Sequence, residues 1–258
     1  MTELLEYFYP GMCLFRVANN PELQQDLLAI EFRSASSVSF SVLDLNHAIL
    51  LLDNWQPDFQ PQTFHLAGVT AHLLLLYRQS GRQYPDPKGI WAWDLATQKL
   101  RWKQTEDYLV EVKQHVLSVY AVEQGIIHRR KLNPDTGVPL EKIISLEGPS
   151  ALEKVGTPVV YSPQSPHFEP ISQYLQQIAQ QKPFSTIHYW ENDHYMLFAC
   201  DNHRQELQWF AYDLAKERLV NQITLANHLN GIAEDTFFVI SNRWVVLLFS
   251  DGVRIFEM

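Results

Sequence analysis

Gly89-Ile90-Trp91-Ala92-Trp93-Asp94-Leu95-Ala96-Thr97-Gln98-Lys99-Leu100-Arg101-Trp102 is the stretch that decides the fold. An apolar strand runs into an Asp-containing turn, and a second strand runs out. Asp suits this corner because its carboxylate accepts backbone N–H groups two residues on, and because Asp and Asn tolerate left-handed geometry. Trp91 and Trp93 share a strand face and Trp102 lies on the next strand. They read as core or turn-covering residues, with an aromatic platform for a sugar or peptide as the alternative.

The phrase recurs. Residues 206–219 nearly repeat it, with Asp213 at the corner, and residues 38–46 keep Asp44-Leu45. Residues 125–137 replace the corner by Asn133-Pro134-Asp135-Thr136-Gly137. A last copy leads through Ser250-Asp251-Gly252 and is cut short by the end of the chain. Apolar runs such as Leu73-Leu74-Leu75-Leu76 precede the copies and suit strands buried on both faces.

A repeated strand-turn-strand unit predicts an all-β fold, a β-propeller. Asp44, Asp94, Asn133 and Asp213 are its structural turn residues. Their separations are 50, 39 and 80 residues. The long last gap predicts a helical insertion over 156–183, because Ile171, Tyr174, Leu175 and Ile178 fall on one helix face. Pro166 and Pro170 suit its start and Pro183 follows its end. The count is five blades, with six as the alternative, in a single domain over residues 1–258. The strand over 12–17 has no turn phrase before it. It is expected to close the last blade, the alternative being an ordinary edge strand.

The match at Asp94, Thr97, Lys99, Leu100 and Trp102 resembles the repeat of quinoprotein-like (pyrroloquinoline-quinone-type) propellers, with Gln98 where Gly is usual. The resemblance covers about half the chain at motif level and implies the propeller unit, not quinone binding. Quinoprotein dehydrogenases use a calcium site, an Asp base and often a vicinal cysteine pair; this chain has no adjacent cysteines, so no cofactor residue carries over and none is expected. In length and in its degenerate repeats the chain also resembles an uncharacterised bacterial propeller-like family, described only as a domain of unknown function.

Composition fits. Hydrophobic content of 46% fills a core, and 14 Pro and 10 Gly serve turns. No apolar run approaches the eighteen residues of a membrane span, and the start lacks a cationic-then-apolar leader. A cytoplasmic monomer is expected. Cys13 and Cys200 read as buried core thiols. A net charge of −9 disfavours nonspecific nucleic-acid binding.

Four residues are candidates for binding. Trp55 lies in what reads as a polar, Pro-containing loop. Asp193 and His194 belong to Glu191-Asn192-Asp193-His194; Asp201-Asn202-His203 flanks the other end of the same strand. Six residues at about 3.3 Å each put these groups roughly 20 Å apart, so one metal site cannot include both. Arg129 belongs to the one basic cluster, His128-Arg129-Arg130-Lys131. Strand alternation places His128 and Arg130 on one face and Arg129 and Lys131 on the other. There is no nucleophile elbow, Walker loop, Rossmann fingerprint or His-Glu-x-x-His. Two functions remain: a non-catalytic propeller binding a partner protein, or a small-molecule or enzymatic site in the central channel. Loops 79–88 and 156–183 are where a site is first expected.

Overall fold

The computed structural model describes residues 1–19, 26–58, 60–79, 87–112, 116–140, 155–227 and 235–258. The chain, expected as a single domain, divides into two compact units: residues 9–152, and residues 1–8 with 153–258. Its first strand, β1 (Thr2–Phe8), belongs with the C-terminal unit.

Residues 9–152 form two antiparallel sheets. The first runs β2 (Cys13–Asn19), β3 (Leu27–Arg33), β4 (Val38–Asp44) and β5 (Ile49–Trp55), each strand paired with the next. Strands β3 and β4 are almost wholly buried; the run Leu27-Leu28-Ala29-Ile30 of β3 suits burial on both faces, and in β4 Ser39 and Ser41 are buried between the apolar Val38, Phe40 and Val42. The second sheet has six strands in sequence order: β6 (Phe64–Val69), β7 (Leu73–Gln79), β8 (Pro87–Asp94), β9 (Leu100–Val112), β10 (Leu117–Glu123) and β11 (Ile126–Leu132). Strand β9 makes this sheet out of two meanders. Its first part pairs with β8 as far as Lys88↔Tyr108, and its end pairs with β10 from Tyr120↔Tyr108 to Leu117↔Val112. The pairing with β10 slips between Ser118 and Val119, leaving Val110 as an extra residue, a β-bulge.

The other unit contains β12 (Val155–Gly156), β13 (Val159–Tyr161), helix α1 (Phe168–Ala179), β14 (Ile187–Glu191), β15 (Tyr195–Asp201), β16 (Leu207–Asp213), β17 (Arg218–Ala226), β18 (Phe237–Ile240), β19 (Trp244–Phe249) and β20 (Gly252–Glu257). One sheet is β13-β14-β15-β16-β17 and the other β12-β18-β19-β20-β1. Helix α1 lies where its periodicity placed it. Leu175 is fully buried, and Ile171, Tyr174 and Ile178 pack with it against Ile187, Phe198 and Phe210. Pro170 sits in the first turn, where no intrahelical N–H is needed. Besides this helix, the 156–183 stretch also supplies β13 and the end of β12.

The closing strand is a correction. Residues 12–17 pair with β3, from Cys13↔Arg33 to Asn19↔Leu28; the partner of β20 is β1, from Thr2↔Glu257 to Phe8↔Gly252. The chain turns at Pro10-Gly11, where Gly11 has φ +82°, so the two N-terminal strands serve different sheets. Gly252 is required here, because an added Cβ would overlap the Tyr7 carbonyl oxygen. The fold is therefore all-β, built of consecutive antiparallel meanders of the kind that forms propeller blades.

Candidate functional site

The repeat turns come first, because they fix strand register. Asp94 Oδ1 accepts the N–H groups of Ala96 (3.1 Å) and Thr97 (2.8 Å). Asp44 Oδ1 accepts those of Asn46 (3.0 Å) and His47 (3.3 Å), Asn133 Oδ1 those of Asp135 (2.8 Å) and Thr136 (3.1 Å), and Asp213 Oδ1 that of Lys216 (2.9 Å). Four positions after each lies a left-handed residue: Ala48, Gln98, Gly137 and Glu217. The Leu that follows Asp also has a task. Leu45, Leu95 and Leu214 donate their N–H to Asp26, His72 and His194 carbonyls, each at 2.9 Å. Pro134 cannot donate, so the Asn133 turn is held otherwise: Trp102 Nε1 donates to the Pro134 carbonyl and Gln104 Nε2 to that of Gly137, both at 2.8 Å. Hydrogen bonding, first from the Thr97 N–H, holds the Asp94 carboxyl below its ordinary range; for Asp213 the Lys216 ammonium comes first.

The sequence-derived binding candidates scatter. Trp55 is not in a loop: it ends β5, pairs with Phe40 and packs edge-on against Trp93 at 5.5 Å, at the margin of the core. Asn54 at φ +45° and a bulge in the β4–β5 pairing let it turn inward. Trp91 and Trp93 are buried around Phe64, as core residues. Asp193 and His194 are exposed at the β14–β15 hairpin, where the Asn192 side chain accepts the N–H groups of His194 and Tyr195. At the other end of β15, Asp201 accepts the N–H and hydroxyl of Ser185. Among the described residues no three His, Cys, Asp or Glu side chains cluster so as to hold a metal ion. Cys13 is exposed, against expectation, because it begins β2, the edge strand of its sheet; Cys200 is buried, and burial pushes its thiol up to about 12, with Asp201 adding to it. Both are free. Residues 80–86 and 228–234 lie outside the described residues, so the expected site in loop 79–88 is not described.

A buried polar joint went unnoticed in the sequence. Glu31 accepts the Leu66 N–H at 2.7 Å and the Arg33 Nε at 2.5 Å, tying β3 to β6. Burial alone would push its carboxyl up, but His65, Leu66 and Arg33 together hold it below the ordinary value. Tyr77 stacks on His65 at 5.1 Å and accepts Arg16 Nη1 at 2.8 Å. Beside it Arg16, Tyr77 and Glu111 border a groove of about 460 Å³ between β2, β6 and β9.

Arg129 is the sequence candidate that falls in a larger site. Register pairs Tyr120 with Arg129, Ser118 with Lys131 and Ser118 with Glu111, so these residues share one face of β9–β10–β11. The opposite face carries Leu117, Val119 and Leu132, buried against Leu73, Leu75, Ile90 and Ala92. Arg130 belongs to that second side and donates to the buried Asp107 at 2.9 and 2.5 Å. The alternation expected for the basic cluster is thus realised. On the open face Tyr108 and Tyr120 stack at 4.7 Å, nearly parallel. Beside Tyr120 lies a cavity of about 830 Å³, bordered also by Val110, Ser118, Ile127, Arg129, Lys131 and Leu140. Val110 and Ile127 are each 63% exposed. The bulge turns Val110 outward, a signal invisible in sequence because it arises from the β9–β10 pairing.

No family model matches the chain, and no curated protein does. Among solved structures it is similar to a chain of the Mitotic Checkpoint Complex at 9% identity and TM-score 0.40, covering 100% of this chain and 94% of that one. It is similar to the Dos1 propeller at 11% identity and TM-score 0.31, with 98% and 70% covered. A europium-containing methanol dehydrogenase follows at 12% identity and TM-score 0.28, with 96% and 52% covered. These likenesses are loose, and the fold rests on the strand pairings themselves. Among the described residues no helix is long and apolar enough to cross a membrane.

Proposed function

We propose that this chain is a non-catalytic, propeller-type binding protein that engages a partner protein through the open face of β9–β10–β11. One observation carries the reading: Val110, Val122, Ile127 and Leu140 stand exposed together on or beside a face whose reverse side is a packed core. Exposed apolar residues gathered in one patch mark interaction surfaces, whereas scattered ones do not. The buried carboxylates support a scaffold. Glu31, Asp44, Asp107, Asp201 and Asp213 are each committed to backbone or side-chain partners that hold strands and turns. The repeat is read as of the quinoprotein kind without its quinone site. Two free cysteines suit a reducing compartment, the cytoplasm.

The test is selection of peptides from a random displayed library on the immobilised full chain. Selected peptides are expected to bind the wild type and to lose about tenfold or more in affinity on Ile127→Ser with Leu140→Ser, at an unchanged melting midpoint. A library that yields no binders, or binders indifferent to these substitutions, would overturn the reading.

A further inference from the structure

We infer that the segment bound by this face is an acidic polypeptide with apolar residues between its carboxylates; the inference rests on the protein-binding reading above. Arg129 and Lys131 lie two positions apart on β11, about 7 Å along the strand, and point to the same side. Both are exposed, and neither has an ion pair or side-chain hydrogen bond among the described residues. Their neighbour Arg130 points the other way and is taken by Asp107. One cation of the cluster thus serves the fold, and two are presented to the outside. Ile127, Val110 and Leu140 flank them.

Charge complementarity selects the occupant. The chain as a whole is acidic, with a net charge of −9. A partner bearing a few carboxylates meets attraction at Arg129 and Lys131 and repulsion over most other surface, which fixes both site and register. Single-stranded nucleic acid is the rival, since it also uses cations and aromatic rings. Two features favour the polypeptide. Two cations offer little to a ligand charged at every phosphate. Tyr108 and Tyr120 stack on each other, which takes up one ring face of each that bases would need. Glu111 stands on the same face and opposes either anion, so the carboxylates of the ligand must be few and placed toward Arg129 and Lys131.

The test uses the full chain and the peptides selected above. Each is resynthesised with Glu→Gln and Asp→Asn, and both forms are measured by fluorescence anisotropy at low and high salt. The acidic forms are expected to bind about tenfold tighter than the amide forms at low salt. The gap should narrow at high salt and vanish on Arg129→Glu with Lys131→Glu, while Ile127→Ser weakens both forms alike. Equal binding of acidic and amide forms would overturn the acidic inference and leave protein binding standing. Displacement of the peptides by a single-stranded oligothymidylate would also overturn it, in favour of nucleic acid. Failure to select any peptide would remove both.

Discussion

The two faces of the β9–β10–β11 meander share one backbone and carry opposite chemistry. On one side Leu117, Val119 and Leu132 are buried, and the single cation, Arg130, is matched by a buried carboxylate. On the other, Ser118, Tyr120, Arg129 and Lys131 surround a cavity, with exposed aliphatics at its border. The difference teaches that position in the strand, not residue type, decides what a side chain does. Arg129 and Arg130 are adjacent and chemically identical, yet Arg130 is a structural ion-pair partner and Arg129 stands exposed at the border of the cavity.

Breaking the packed side should cost the most. Leu117→Ala removes a fully buried side chain and is expected to destabilise by about 2–5 kcal/mol, read from the denaturant midpoint. A loss no larger than that at an exposed site would mean the face is not packed. Next comes the turn that ends β11. Gly137→Ala forces a left-handed conformation on Ala, which costs about 1–2 kcal/mol, and drives a Cβ to 2.6 Å from the Trp102 ring. Its total cost is expected to exceed that of the conformation alone. Tolerance of alanine would contradict the close approach of Trp102. Asp107→Ala strands Arg130 beside a buried face and should cost roughly 1.5–3 kcal/mol, with a double substitution at Arg130 recovering part of it. Gln98→Gly restores the residue that the left-handed position prefers and should raise stability by up to about 1 kcal/mol. Ile127→Ser, on the open face, should leave stability within about 0.5 kcal/mol while weakening peptide binding.

Much of this frame was legible in the sequence, and the reasons are physical. The Asp-Leu corner recurs because the carboxylate caps the turn and the Leu N–H ties it to the preceding hairpin; both needs are local and leave a local pattern. Helix α1 showed through its period, and the split of the basic cluster through strand alternation. What depended on pairing across the chain did not show. Strand β1 has no clean alternation, and its partner lies 244 or more positions away, from Phe8 to Gly252. Trp55 looked like a loop residue because Asn54 and Pro57 read as turn signals, whereas the Phe40 pairing places it in a strand at the margin of the core. The Tyr108–Tyr120 stack and the outward turn of Val110 follow from a register slip between β9 and β10. The Glu31 joint needs two sheets to meet before a carboxylate can be buried.

The most direct measurement takes Leu117→Ala and Arg129→Glu side by side, recording melting midpoint and acidic-peptide affinity for each. The account predicts that Leu117→Ala lowers the midpoint and leaves affinity near wild type below the melting range, while Arg129→Glu leaves the midpoint unchanged and cuts affinity about tenfold. A midpoint lowered as much by Arg129→Glu as by Leu117→Ala, with affinity untouched, would contradict the assignment of the two faces.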